Sequence, residues 1–127
     1  MSEADAMQEC LAQRVVAVVG VSENREKFGW KVYVNLKSQG YEVLPVNANY
    51  EELEGEKCYP SVTELPTEVG LIVTVVPPRS TRRVVREGLE AGFRRYWMQP
   101  GSEDEEAVRE IEAAGGVAVL DCIMVRG

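Results

Sequence analysis

Arg14-Val15-Val16-Ala17-Val18-Val19-Gly20-Val21-Ser22 opens with an unbroken, largely β-branched apolar run that ends in glycine. A strand built from such a run has no polar face, so it must be covered on both sides, as the strands of a parallel sheet are. The glycine at its end permits a sharp backbone turn.

Outward from that strand, the segment 26–39 places Phe28, Val32, Tyr33 and Leu36 at helical spacing, and Gly40 follows where a helix C-cap takes a positive φ. The segment 41–47 predicts a second strand, and Pro45 within it, lacking an amide donor, calls for an edge, a strand end or a bulge. An irregular stretch runs to Pro66. Inside it, Ser61 and Glu64 have capping-box spacing and predict one short helical turn. The segment 69–76 predicts a third buried strand, stopped by Pro77-Pro78 before a helix over 80–91 that Gly92 caps. A fourth strand over 94–98, an acid-started helix over 103–114 closed by Gly115-Gly116, and a fifth strand over 117–120 complete the alternation. Residues 1–13 read as an acidic helical leader. The pattern predicts an α/β fold, a Rossmann-like doubly wound parallel five-stranded sheet with helices on both faces, as one domain over residues 1–127.

Composition narrows what such a domain can do. A length of 127 residues suits one core, and 21 acids against 14 bases give a net charge of −7, which opposes nucleic acid and anionic membranes. There is no apolar run long enough to cross a bilayer and no basic, apolar leader, so a cytoplasmic address is expected. Cys10, Cys58 and Cys122 stand too far apart for a zinc motif and are expected as reduced thiols. The chain has no histidine, which excludes a phosphohistidine relay, Ser-His and Cys-His nucleophiles and His-ligated metals. Neither a catalytic set nor a metal site is expected.

Ligands of doubly wound sheets bind beyond the C-terminal strand ends, where the winding direction reverses. Four ends are thereby singled out. At the first, Gly20 allows close approach of a phosphate, with Val21 and Ser22 in the same turn; Ser22 offers a hydroxyl, the following helix N-terminus offers amides, and Lys27 offers a counter-charge. The plainer readings are a simple turn for Gly20 and a solvated surface charge for Lys27. At the second, Asn47 can bond a ribose or adenine edge or merely form a turn. At the third, Val76 and Pro77 offer a rigid apolar edge for a purine, or just end a strand and start a helix. At the fourth stands Gln99-Pro100-Gly101. Trp30 and Trp97 read as packing residues, Arg82, Arg83, Arg86, Arg94 and Arg95 as solvated charges, and Cys122 beside Asp121 as a buried structural thiol. The loop after the first strand lacks the second and third glycines of a dinucleotide fingerprint, and Asn47 stands where an acid would hold ribose hydroxyls, which weakens NAD as the ligand.

The segments 16–22, 40–47, 55–61 and 97–101, with the closing Asp121-Cys122-Ile123-Met124, resemble in order and spacing the family of small stand-alone CoA-binding domains. That family is similar to the N-terminal CoA-binding domain of the succinyl-CoA synthetase α subunit, freed of the domain that carries the phosphohistidine. The resemblance implies coenzyme A as cofactor, with phosphates at Gly20, Val21 and Ser22. It also implies Asn47 along the nucleotide, and Val76, Pro77 and Gln99 beside the adenine and pantetheine path. Three departures accompany it: Ala48-Asn49 replaces a proline and a basic residue, the closing D-x-C motif is shortened to Asp121-Cys122, and Phe28-Gly29-Trp30 replaces Pro-Ser-Tyr. The expectation is a binding module for CoA or an acyl-CoA rather than an enzyme. The alternative is an NAD-binding or acyl-CoA ligase-type component completed by a partner chain, and a homodimer or an unidentified protein partner stays open.

Overall fold

The computed structural model describes residues 1–126; Gly127, the last residue of the expected domain, lies outside them. A leading helix α1 (Glu3–Leu11) precedes strand β1 (Val15–Val19), helix α2 (Phe28–Ser38) and strand β2 (Glu42–Val46). A two-stranded hairpin, β3 (Glu52–Leu53) and β4 (Glu56–Lys57), and a 3-10 turn over Val62–Glu64 lead to strand β5 (Leu71–Thr74). Helix α3 (Pro78–Glu90), strand β6 (Arg95–Met98), helix α4 (Glu105–Ala113), strand β7 (Val117–Leu120) and the short helix α5 (Ile123–Arg126) follow. The five long strands form one sheet in the order β2-β1-β5-β6-β7, with every pair parallel. The Rossmann-like doubly wound fold expected from the sequence is therefore the fold of the chain.

Alternation along the strands sorts the core into two layers. Val16, Val18, Val73, Trp97 and Val119 face a layer that includes Cys10 of α1, Val32 and Leu36 of α2 and Ile123 of α5. Ala17, Val19, Ile72, Tyr96 and Met98 face the other, with Val84 and Val85 of α3 and Ala107 and Ile111 of α4. Both faces are thus covered, as the apolar runs require.

Pro45 sits in β2, the edge strand, as one of the sequence readings required. Glu42 donates to the Arg14 carbonyl and the Val46 carbonyl accepts from Gly20, so the alternate residue Pro45 turns outward, where its own carbonyl accepts from the Tyr59 amide. Its missing N–H costs no bond to β1. Gly40, at φ +96°, ends α2 as expected: its amide donates to Lys37 and that of Tyr41 reaches back to Leu36.

Some expectations are corrected. The irregular stretch contains the β3–β4 hairpin, whose Glu54-Gly55 turn has φ of 51° and 80°. The turn at 62–64 forms without a capping box, because the Ser61 hydroxyl pairs with that of Thr63 at 2.6 Å. Helix α3 starts at Pro78, two residues early, since a first-turn proline gives up only an amide that a helix leaves unpaired anyway. Helix α5 was not anticipated from the sequence.

The arginines read as solvated charges are mostly engaged. Arg82 holds Asp104 through two bonds at 3.0 and 2.9 Å, Arg86 pairs with Glu110, and Arg95 with Glu9. Asp104 also caps α4 by accepting from the Ala107 amide. The Arg82 guanidinium, aided by that amide, holds the Asp104 carboxyl below its ordinary value of 3.8. The folded state thus binds that proton less readily than the unfolded chain, so the stabilisation is present above that value and is lost as pH falls below it. Removing the cap in Asp104→Ala is expected to lower stability by about 1 kcal/mol at neutral pH. Urea unfolding across pH 3–7 checks it: the gap from wild type should narrow at the acid end.

Candidate functional site

The strand order places a reversal between β1 and β5: from β1 the chain winds outward to β2, then crosses back over β1 to β5 and continues through β6 to β7. The loops leaving β1 and β5 therefore diverge and leave a crevice above the strand ends. A cavity of about 780 Å³ occupies it. All eight residues singled out from the sequence, Gly20, Val21, Ser22, Lys27, Asn47, Val76, Pro77 and Gln99, line this one cavity. Its volume lies within the range usual for small-molecule and cofactor sites.

The floor is set by backbone geometry at Gly20. Its φ is +101°, and a Cβ there would overlap the Val75 carbonyl and the Val76 side chain. Only glycine lets the chain leaving β1 turn this close to β5. A Cβ on Gly29, in the first turn of α2, would in turn overlap the Gly20 carbonyl. Where the family resemblance leads one to expect a serine, glycine brings the N-terminus of α2 against the loop, with its first-turn amides beside the crevice. This second glycine lies outside the short dinucleotide fingerprint, which is why a motif search around Gly20 does not find it.

Between Gly20 and α2 the loop is held by its own polar side chains. The Ser22 hydroxyl accepts from the Asn24 amide at 3.0 Å, and the Asn24 carboxamide oxygen accepts from the Glu26 amide at 3.0 Å. While accepting, the Ser22 O–H keeps its proton to donate. Lys27 stands at the N-cap of α2, exposed at the rim beside Glu26. Phe28 is 62% exposed on the same rim and gives the mouth an apolar edge.

Asn47 has a positioning role in this structure. Its side-chain nitrogen donates to the Val21 carbonyl at 2.8 Å and its oxygen accepts from the Asn49 amide at 2.8 Å, tying the loops after β1 and β2 together. Its turn-forming reading and its place on the cavity wall are both realised. Tyr50, unremarked in the sequence, reaches the same loop, its hydroxyl facing the Glu23 amide at 3.4 Å.

Opposite, Gln99 is buried and committed. Its side-chain oxygen accepts from the Ile123 amide at 2.7 Å, which starts α5, and its nitrogen points at the Cys122 sulfur, 3.6 Å away. Ser102 stands behind it, its hydroxyl shared among Thr74 and the Gln99 carbonyl. Cys122, expected as a buried thiol, is instead half-buried and lines the cavity. Trp97 is fully buried below, its indole N–H donating to the Asp121 carbonyl at 2.8 Å. Burial raises the thiols of Cys10, to about 12, and of Cys58, and both sit in the core away from the cavity.

No cluster that could hold a metal ion occurs among the described residues. The cavity's polar groups are amides, hydroxyls and one lysine–glutamate rim, a set suited to binding an anionic ligand with an apolar portion.

Comparison with known proteins gives consistent likenesses. Residues 14–127 match the family described as CoA binding domain. The α subunit of an ADP-forming acetate–CoA ligase II of Pyrococcus furiosus is 43% identical over 117 residues, which is 84% of this chain but only 26% of that subunit. An uncharacterized Bacillus subtilis protein, YneT, is 27% identical over 98% of this chain and 93% of its own length. A conserved hypothetical protein of Pyrococcus furiosus has a solved structure that superposes with a TM-score of 0.87 at 50% identity, covering 90% of this chain and 99% of that one.

Proposed function

The chain belongs to the CoA binding domain family, and from that premise we propose that it binds coenzyme A or an acyl-CoA without performing chemistry on it. The observation that carries this reading is the crevice at the sheet's reversal. There, the positive-φ turn at Gly20, the Ser22 hydroxyl and the N-terminus of α2 meet in a cavity of about 780 Å³. The pyrophosphate lies over Gly20, Val21 and Ser22, where amides and the helix dipole favour negative charge, with Lys27 as counter-ion at the rim. The nucleotide runs past Asn47 and the Val76-Pro77 edge. The pantetheine arm runs toward Gln99 and Cys122, the less charged side of the cavity.

Calorimetric titration with CoA, and in parallel with NAD, at one fixed salt concentration tests this. Saturable CoA binding without NAD binding is the expected result. Binding of NAD alone, or of neither, overturns it.

A second reading is favoured by one specific observation: the chain spans about a quarter of the acetate–CoA ligase α subunit that it matches. On that reading it supplies the CoA site of a ligase-type assembly whose other domains reside on a partner chain. With no histidine of its own, it depends on the partner for any phosphohistidine. Co-purification of a stoichiometric partner, with acyl-CoA formation by the pair alone, would favour this over the free-standing module.

A further inference from the structure

A second cavity, of about 400 Å³, lies across the ridge formed by Gly20, Asn47 and Val76, which line both spaces. Ser80, Arg83 and Glu87 of α3 line it, together with Ser61 just before the 3-10 turn. The two cavities thus adjoin at that ridge, on the side of the strand ends where the loops after β1, β2 and β5 meet.

The arginines of α3 are not equivalent. Arg82 and Arg86 turn toward α4 and are engaged by Asp104 and Glu110. Arg83, between them, lines the cavity instead and has neither a hydrogen-bond nor an ion-pair partner among the described residues, Glu87 one turn along included. A guanidinium left unpaired on a cavity wall, in a chain of net charge −7, is a ready receptor for a phosphate, which it can meet with two parallel bonds. The Ser80 hydroxyl stands one turn before it on the same wall.

We propose that Arg83 takes a phosphate monoester on the ribose of the bound nucleotide, and so makes the protein prefer 3′-phosphorylated CoA over its 3′-dephospho form. The inference rests on the CoA reading of the first cavity: with the pyrophosphate at Gly20, the adenosine end passes the ridge and its 3′-phosphate arrives at Arg83. Glu87, one turn further along α3 on the same cavity, disfavours an anion next to itself.

The test is calorimetric titration of the full chain with CoA and with 3′-dephospho-CoA, at low and at raised salt. Wild type is expected to bind CoA about tenfold more tightly, a gap that shrinks with salt. Arg83→Gln, an exposed change that should leave the thermal unfolding curve in place, is expected to close the gap by weakening CoA alone. Equal wild-type affinities, or a gap that survives Arg83→Gln, overturn the subsite and leave the CoA reading standing. If neither ligand binds wild type, the CoA reading falls and the subsite with it.

Discussion

Gly20→Ala is expected to abolish measurable CoA binding and to lower stability by about 3 kcal/mol, whereas Gly40→Ala, at nearly the same φ, should cost about 1 kcal/mol and leave binding intact. The two glycines have φ of +101° and +96°, so the left-handed strain of a new Cβ is common to both. What differs is the surroundings. Nothing lies within 4 Å of a Cβ at Gly40, while one at Gly20 overlaps the Val75 carbonyl and the Val76 side chain. Relief at Gly20 requires β1 and β5 to separate where the crevice floor is formed, and the loop carrying Val21 and Ser22 moves with it. Urea unfolding and calorimetry on both variants check this. Equal losses of stability, or CoA binding retained in Gly20→Ala, would show that the close approach does not shape the site.

Trp97→Ala carries the largest expected loss of stability. The side chain is fully buried in β6, within the layer shared by α1, α2 and α5, and its indole N–H holds the Asp121 carbonyl. Truncation leaves a large void and unties the segment that begins α5, for about 4 kcal/mol. A domain of this size has roughly 5–15 kcal/mol in total, so the variant should unfold at far lower urea than wild type. Trp97→Phe, which fills most of the void but drops the bond, should lose less than half as much. Similar midpoints for the two variants would mean that the lost bond outweighs the packing.

Legibility from sequence followed the physics of each element. Strands buried on both faces announce themselves as apolar runs, and Gly40 marks a helix end because few other residues take that φ; these were readable. So were the four strand ends, because an alternating α/β chain fixes where its crevice lies before any side chain is placed. The β3–β4 hairpin was not, because strands of two residues have no periodicity to detect. Gly29 was missed because what matters there is a through-space approach to Gly20, nine positions away, that no local pattern encodes. The pairing of Arg82 with Asp104 was hidden similarly: sequence shows a charged helix face, while the neighbouring helix decides which charges find partners and leaves Arg83 without one.

The outward turn of Pro45 bears on how copies of the molecule can meet. The outer side of β2 is occupied at its C-terminal end by the strand-like contact of Tyr59, whose amide donates to Pro45 and whose carbonyl accepts from Asn47, which obstructs addition of a further strand over that stretch. The sheet ends at β7 on its other side. A sheet with one obstructed border and one free border favours joining another free border to free border across a twofold axis, a pairing that closes on itself rather than propagating.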